Sequence, residues 1–151
     1  MNVEQCVRES NRIEGIYRNP TKAEMDEFRR FINLEEVTLS DLLQFVSVYQ
    51  PDARLRIRPG WDVYVGSYVP PAGGEHIGQT LKDILRRMNS ERDEKSAFLL
   101  HQEYESLHPF MDCNGRSGRM LWYWMMGKRK GMGLGFLHMW YYQSLMYQHD
   151  R

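Results

Sequence analysis

Residues 108–119 read His108-Pro-Phe-Met-Asp-Cys-Asn-Gly-Arg-Ser-Gly-Arg119, a run dense in groups that could do chemistry. Proline disfavours helix at the residue before it, so a helix is expected to end on His108. Its imidazole has a pKa suited to general-base work near neutral pH. Asp112 offers hard carboxylate oxygens, fit for a Mg²⁺ that keeps most of its water and bridges phosphates. Asn114-Gly115 readily adopts left-handed geometry, so successive amides can form a concave anion nest. That nest opens a new helix, whose unpaired N–H groups and partial positive charge attract phosphate. Arg116 and Arg119 stand three apart in its first turns, so both guanidiniums can reach one polyphosphate. Two cations there oppose the helix dipole unless an anion compensates, which favours a functional over a purely structural reading. Base, metal ligand, nest and clamp together describe phosphoryl or nucleotidyl transfer.

Those groups need elements to hold them. The chain has 151 residues, the size of one domain that buries most of its apolar surface without disulfides or a structural metal. Thr21-x-x-Glu24 is a capping box, and Met25, Phe28 and Ile32 share a face behind it. A second helix fits 39–50, with Leu39, Leu42, Leu43, Val46 and Tyr49 at core spacing and Pro51 as its stop. Helical spacing returns at Ile77, Leu81, Ile84, Leu85 and Met88, and again at Ala97, His101, Tyr104 and Leu107. A helix from about Gly115 through Met126 and a last one over about 136–148 complete the count, while residues 2–16 show weak helical periodicity. Leu55, Ile57, Trp61, Val63 and Val65 alternate with polar residues around Pro59-Gly60, and Gly66-Ser67 turns the chain again before Tyr68, so a small hairpin is expected at 54–69. The expected fold is mainly α, a helical bundle with a β-hairpin flap.

With those elements in view, the 108–119 segment resembles the signature of the Fic (filamentation induced by cAMP) domain, HPFx[D/E]GNGRxxR. His108, Pro109, Phe110, Asp112, Asn114, Gly115, Arg116 and Arg119 all match, and a chance match in register is about one in 10¹⁰ at background residue frequencies. Cys113 departs from the family's glycine. The resemblance extends over about 40–145. It implies transfer of AMP from ATP to a Ser, Thr or Tyr hydroxyl of a target protein, with release of pyrophosphate. In that scheme His108 is the base, Asp112 holds Mg²⁺, and Asn114, Gly115 and the adjoining Cys113 cradle the nucleotide's phosphates with Arg116 and Arg119. The hairpin, through Trp61, Val63, Val65 and Tyr68, is the flap that docks a target segment by strand addition. At position 113 a cysteine pays ~1–2 kcal/mol for a conformation that glycine adopts freely. A thiol at a helix N-terminus beside arginines is also expected to be unusually acidic.

A second motif lies far away. Ser10-Asn-Arg-Ile-Glu14-Gly15 resembles the (S/T)xxxE(G/N) inhibitory motif of regulated Fic proteins. Residues four apart share a helix face, so Ser10 and Glu14 can address one partner. The resemblance implies that Glu14 pairs with Arg119, takes the place of the γ-phosphate, and leaves bound ATP misaligned. Residues 1–18 are accordingly expected to form an inhibitory helix and 19–151 a single Fic unit. In some relatives the same glutamate is thought to help remove AMP, which stays open here.

Other features bound the function. Twenty basic and twenty acidic residues cancel, which argues against a nucleic-acid partner bound by bulk charge. Cys6 and Cys113 have neither disulfide-framework nor zinc spacing, the N-terminus lacks a signal peptide's apolar stretch, and Met120–Met126 is too short to span a membrane, so a cytoplasmic location is expected. Gly131–Gly135 fits a helix–helix loop better than a dinucleotide loop. His76, His101, His138 and His149 show no metal spacing. Met120, Trp122, Trp124, Met125 and Met126, and later Met139–Tyr142, suit a core or a homo-oligomer surface better than a cofactor box. Self-modification and self-association are both open. The alternatives are a Fic-fold enzyme that moves UMP or a phosphoryl group, and a silent protein-binding module.

Overall fold

Asn2, Thr21, Thr38 and Asp93 each accept a hydrogen bond from the backbone N–H three residues on. Such caps satisfy donors that a helix start leaves unpaired, each worth about 1 kcal/mol. After the first three, the third residue (Gln5, Glu24 or Asp41) returns a bond to the cap's own N–H, closing a capping box. The computed structural model describes residues 2–91 and 93–130. Among them the chain forms α1 (Val3–Ile13), α2 (Lys22–Ile32), α3 (Leu39–Tyr49), α4 (Glu75–Ser90), α5 (Glu94–Leu107) and α6 (Asn114–Lys130). The mainly helical fold is as expected. The weak periodicity of the N-terminus resolves into a complete helix, because its buried face is narrow: Cys6, Val7, Ser10 and Asn11.

α6 is the axis of the molecule, touching α1, α2, α3 and α5. Each residue from Met120 to Met126 is at most 3% exposed. A helix apolar on all sides has to be surrounded. Trp122 and Trp124 are therefore core residues, and the Trp124 indole N–H donates to the Leu34 carbonyl at 2.8 Å. α4 lies on the far side of α5, which places α5 between it and the axis. No helix among the described residues is long and apolar enough to cross a membrane. The expected helix over 136–148, the Gly131–Gly135 loop, the Met139–Tyr142 cluster and His138 and His149 lie outside the described residues.

The hairpin is smaller than expected. Leu55 bridges to Phe110 rather than to the 61–65 segment, and Val65 pairs only with Tyr68 across Gly66-Ser67. Gly66 has φ 58°, the positive value that the first position of such a two-residue turn demands. The alternation of Leu55 and Ile57 is real, but its ladder partner is the loop between α5 and α6. The Arg56 N–H donates to the Pro109 carbonyl at 2.9 Å and the Met111 N–H to the Arg54 carbonyl at 2.8 Å.

Arg56, the polar residue in that alternation, explains why. Its side chain is fully buried and points into the protein. Nε donates to the His108 carbonyl at 2.7 Å and Nη2 to the Leu107 carbonyl at 2.9 Å. Nη1 donates to the carbonyls of Trp61 at 3.1 Å and Pro71 at 2.9 Å. The last turn of α5 leaves carbonyls unpaired and carries partial negative charge, so a planar five-donor cation suits it. One side chain thereby ties the end of α5 to both limbs of the 61–71 segment. Replacing it by methionine leaves buried carbonyls without donors. Arg56→Met is expected to lower unfolding free energy in urea by about 3 kcal/mol or more, and Arg56→Lys to recover only part of the loss, since an ammonium has fewer donors.

Candidate functional site

The loop between α5 and α6 is short and strained at both ends. His108 is the C-cap of α5 with φ 51° and ψ 61°, and Cys113, directly before α6, has φ 71°. Both are left-handed and neither is glycine, at a cost of about 1–2 kcal/mol each. Several contacts hold the loop in that shape. Phe110 is fully buried, the apolar anchor its type suggests. The Asn114 side chain closes the loop on itself, accepting from the Phe110 N–H at 2.8 Å and donating to the Phe110 carbonyl at 2.7 Å. Asp112 accepts from the Cys113 N–H at 2.6 Å, and Ser117 Oγ, in the first turn of α6, donates to the Cys113 carbonyl at 2.7 Å.

Above this loop is a cavity of about 650 Å³. His108, Asp112, Cys113, Asn114, Gly115 and Arg119 line its floor, Ile13 and Glu14 close one side, and 62–65 overhang another. The Arg119 guanidinium is buried, and α1 meets it with three acceptors. Nε donates to Ser10 Oγ at 2.9 Å, and Nη2 donates to the Ser10 carbonyl at 3.0 Å and to Glu14 Oε1 at 2.6 Å. The approach of Glu14 is possible because residue 115 has no side chain: a Cβ there would stand 2.1 Å from Glu14 Oε1. Glu14 is held at the end of α1 by a Schellman turn. Gly15, at φ 77°, donates to the Arg12 carbonyl, and the Ile16 N–H reaches back to the Asn11 carbonyl.

Arg116 takes a different direction from Arg119. It is buried away from the cavity, donating to the Tyr49 carbonyl at 3.1 Å and to Gln50 Oε1 at 2.9 Å. The electronegative C-terminus of α3 draws its charge, so in this structure the two arginines do not share one seat. The flap residues also divide. Val63 and Val65 line the cavity. Trp61 instead packs under the guanidiniums of Arg54 and Arg58, at 5.8 and 5.4 Å from its ring centre. Tyr68 anchors the flap by donating its hydroxyl to the Ser106 carbonyl at 2.7 Å. Cavity residues that the motif reading missed are Asp62, Tyr64, Met111 and Glu105. Glu105 carried the clearest available signal, a carboxylate one helical turn before His108.

The protonation states follow from burial. His108 Nδ1 faces the Glu105 carbonyl at 3.2 Å, and a carbonyl can only accept, so Nδ1 carries the hydrogen and Nε2 is left as the base. Burial, the largest influence, holds His108 below the ordinary imidazole range. Cys113 corrects an expectation: its thiol is pushed up to about 11 because burial outweighs the nearby Arg116 and Arg119. It is a strained packing residue in its thiol form at neutral pH.

The model of the Fic/DOC family matches residues 38–126, more than half of the chain. Protein adenylyltransferase fic-1 of Caenorhabditis elegans is 30% identical over 134 residues, which is 78% of this chain and 24% of that protein. Protein adenylyltransferase Fic of Drosophila ananassae is 31% identical over 111 residues, 64% of this chain and 22% of that protein. The chain thus spans about a quarter of the length of these curated relatives. A helical frame, a loop that carries the full signature but for one cysteine, and a matching family model agree: this chain belongs to the Fic/DOC family.

Proposed function

We propose that the chain is a protein adenylyltransferase, moving AMP from ATP to a Ser, Thr or Tyr hydroxyl of a target protein, and that Glu14 restrains it. The observation that carries this is one cavity lined by His108, Asp112, Gly115 and Arg119, in a chain whose relatives bear that name. The acceptor oxygen attacks the α-phosphorus, the bond from that phosphorus to the oxygen of the β-phosphate breaks, and pyrophosphate leaves. The acceptor's proton passes to His108 Nε2, which the Nδ1–H bond to the Glu105 carbonyl orients and burial favours in its unprotonated form. The amides at the start of α6 face the developing phosphate charge, and Arg119 binds the tail of the triphosphate. Arg116 acts from behind, holding the first turn of α6 against α3.

Asp112 suits a magnesium ion. It is an exposed carboxylate at the cavity, and the described residues contain no cluster of three metal-ligating side chains. That fits an ion which takes one or two carboxylates and fills the rest of its shell with water and phosphate oxygen. Bound there, it would neutralise charge on the phosphates. Val63 and Val65 flank the path by which a target segment enters, and no ladder occupies 62–64 among the described residues. An extended peptide added there would present its hydroxyl with little demand on sequence.

In the restrained state, the Glu14 carboxylate occupies the Arg119 guanidinium that a terminal phosphate needs. Glu14→Gly is expected to raise self-labelling from α-³²P-ATP by about tenfold or more, the equivalent of about 1.4 kcal/mol of lost competition. His108→Ala in that background should cut labelling by about 10²–10⁴-fold. Label retained from γ-³²P-ATP and not from the α position would overturn AMP transfer in favour of a phosphoryl transfer. Equal labelling with and without Glu14 would remove the restraint. The rate of the Glu14→Gly protein should also hold up below pH 6.5. A lowered His108 pKa keeps the base neutral there, so the acid limb of kcat/KM is expected to have its midpoint below the ordinary imidazole value of about 6.5.

A further inference from the structure

Glu105 lines the same cavity, yet no step of the proposed chemistry uses its carboxyl group. Its carboxyl is folded against α6, where Oε1 is buried without a hydrogen-bond partner. A Cβ on residue 118 would stand 2.0 Å from that oxygen, so glycine at 118 makes the room for it. Two glycines of the same α6 face, 115 and 118, thus admit two carboxylates, Glu14 from α1 and Glu105 from α5.

The groups that face Glu105 come from three elements. From α6, the charge of Arg119 favours its ionised form. From the end of α1, the charge of Glu14 opposes it. On its own helix, His101 Nε2 lies 4.0 Å from Oε1, and burial holds His101 down to about 3, so it stays neutral. His108 contacts only the Glu105 carbonyl. Burial, the largest influence, and Glu14 together push Glu105 up to about 8. With Arg119 committed to Glu14, the acid keeps its proton at neutral pH.

We propose that Glu105 is the reserve partner of Arg119: when Glu14 withdraws, Glu105 ionises against the guanidinium, and a nucleoside triphosphate tail that takes Arg119 returns a proton to it from solvent. This rests on the reading above in which Arg119 seats the phosphate tail and Glu14 is removable. The physical cause is that one buried guanidinium cannot balance a carboxylate and a polyphosphate together. A neutral carboxyl can remain beside phosphate and donate a hydrogen bond to it. Triphosphate binding is then linked to uptake of a proton, and Glu105 tunes how tightly the tail is held across the neutral to alkaline range.

Two measurements test this. The first follows the Glu105 carboxyl carbon by ¹³C NMR across pH, with Glu105→Gln assigning the signal. The midpoint is expected to fall by about one unit or more from the parent chain to Glu14→Gly, because a repelling charge leaves and Arg119 is released. The second is titration calorimetry of Glu14→Gly with magnesium and α,β-methylene-ATP at pH 8, in two buffers of different ionisation heat. Uptake of about half a proton or more is expected, and none beyond the nucleotide's own in Glu14→Gly/Glu105→Gln. An unchanged midpoint, or equal proton uptake in both proteins, would overturn the role of Glu105 while leaving AMP transfer standing. Failure of the analogue to bind Glu14→Gly at all would overturn the phosphate seat, and this linkage with it.

Discussion

A buried guanidinium has to find acceptors for its donors, and Arg119, 1% exposed in the middle of this molecule, has a carboxylate among them. Its charge sits on the axial helix, within reach of the cavity and of α1, and much of the nearby architecture answers to it. Ser10 gives it a hydroxyl and a carbonyl, and Glu14 gives it a carboxylate. Burying such a cation is costly unless it is paired and fully hydrogen-bonded, and removal of one partner leaves a charge with nowhere to go. The attachment of α1 is therefore electrostatic as much as apolar. Its hydrophobic footprint is Cys6 and Val7 with the partly buried Val3 and Ile13 beside them, while Asn11 reaches Glu24 on α2 at 3.2 Å. A helix fastened in part by polar contacts is more open to a competing anion than one held by apolar contacts alone.

The second constraint is backbone strain at the two ends of the α5–α6 loop. His108 and Cys113 occupy left-handed positions that side chains resist. Such strain persists only where the surroundings over-determine it. Here the restraint arrives from a distance: Arg56 collects the terminal carbonyls of α5, Leu55 pairs with Phe110, and Asn114 cross-braces the loop. The result aims the imidazole at the cavity while leaving Nε2 without an intramolecular claim through the Glu105 contact, which uses Nδ1. Arg116 adds a brace between α6 and the end of α3. Its role shows how two arginines in one turn can divide between holding a site and facing into it.

Glycine has a further part in this arrangement. At positions 115 and 118 the missing Cβ gives carboxylates access to the side of α6. These two positions cost helix stability, since glycine is the least favourable interior residue after proline. They return it as close approach between carboxyl groups and the helix backbone.

Much of this was legible along the chain, wherever the controlling interaction is short in range. Capping boxes act over three residues, Pro109 ends α5 through its own ring, and the Ser10–Glu14 spacing is a property of any helix, so each could be read from neighbours alone. What only the tertiary structure decided are the matters in which a partner lies tens of residues away. Arg56 meets His108 across 52 positions and Arg116 meets Tyr49 across 67, which turned an expected hairpin strand into a brace and aimed the Arg116 guanidinium at the end of α3. The alternation at 55–57 predicted a strand but was silent on its partner. The Cys113 thiol looked acidic from its neighbours in the chain and proved the reverse, because desolvation depends on how much of the whole fold surrounds a group. Local propensity is written in adjacent residues; direction, pairing and dielectric are properties of the assembled core.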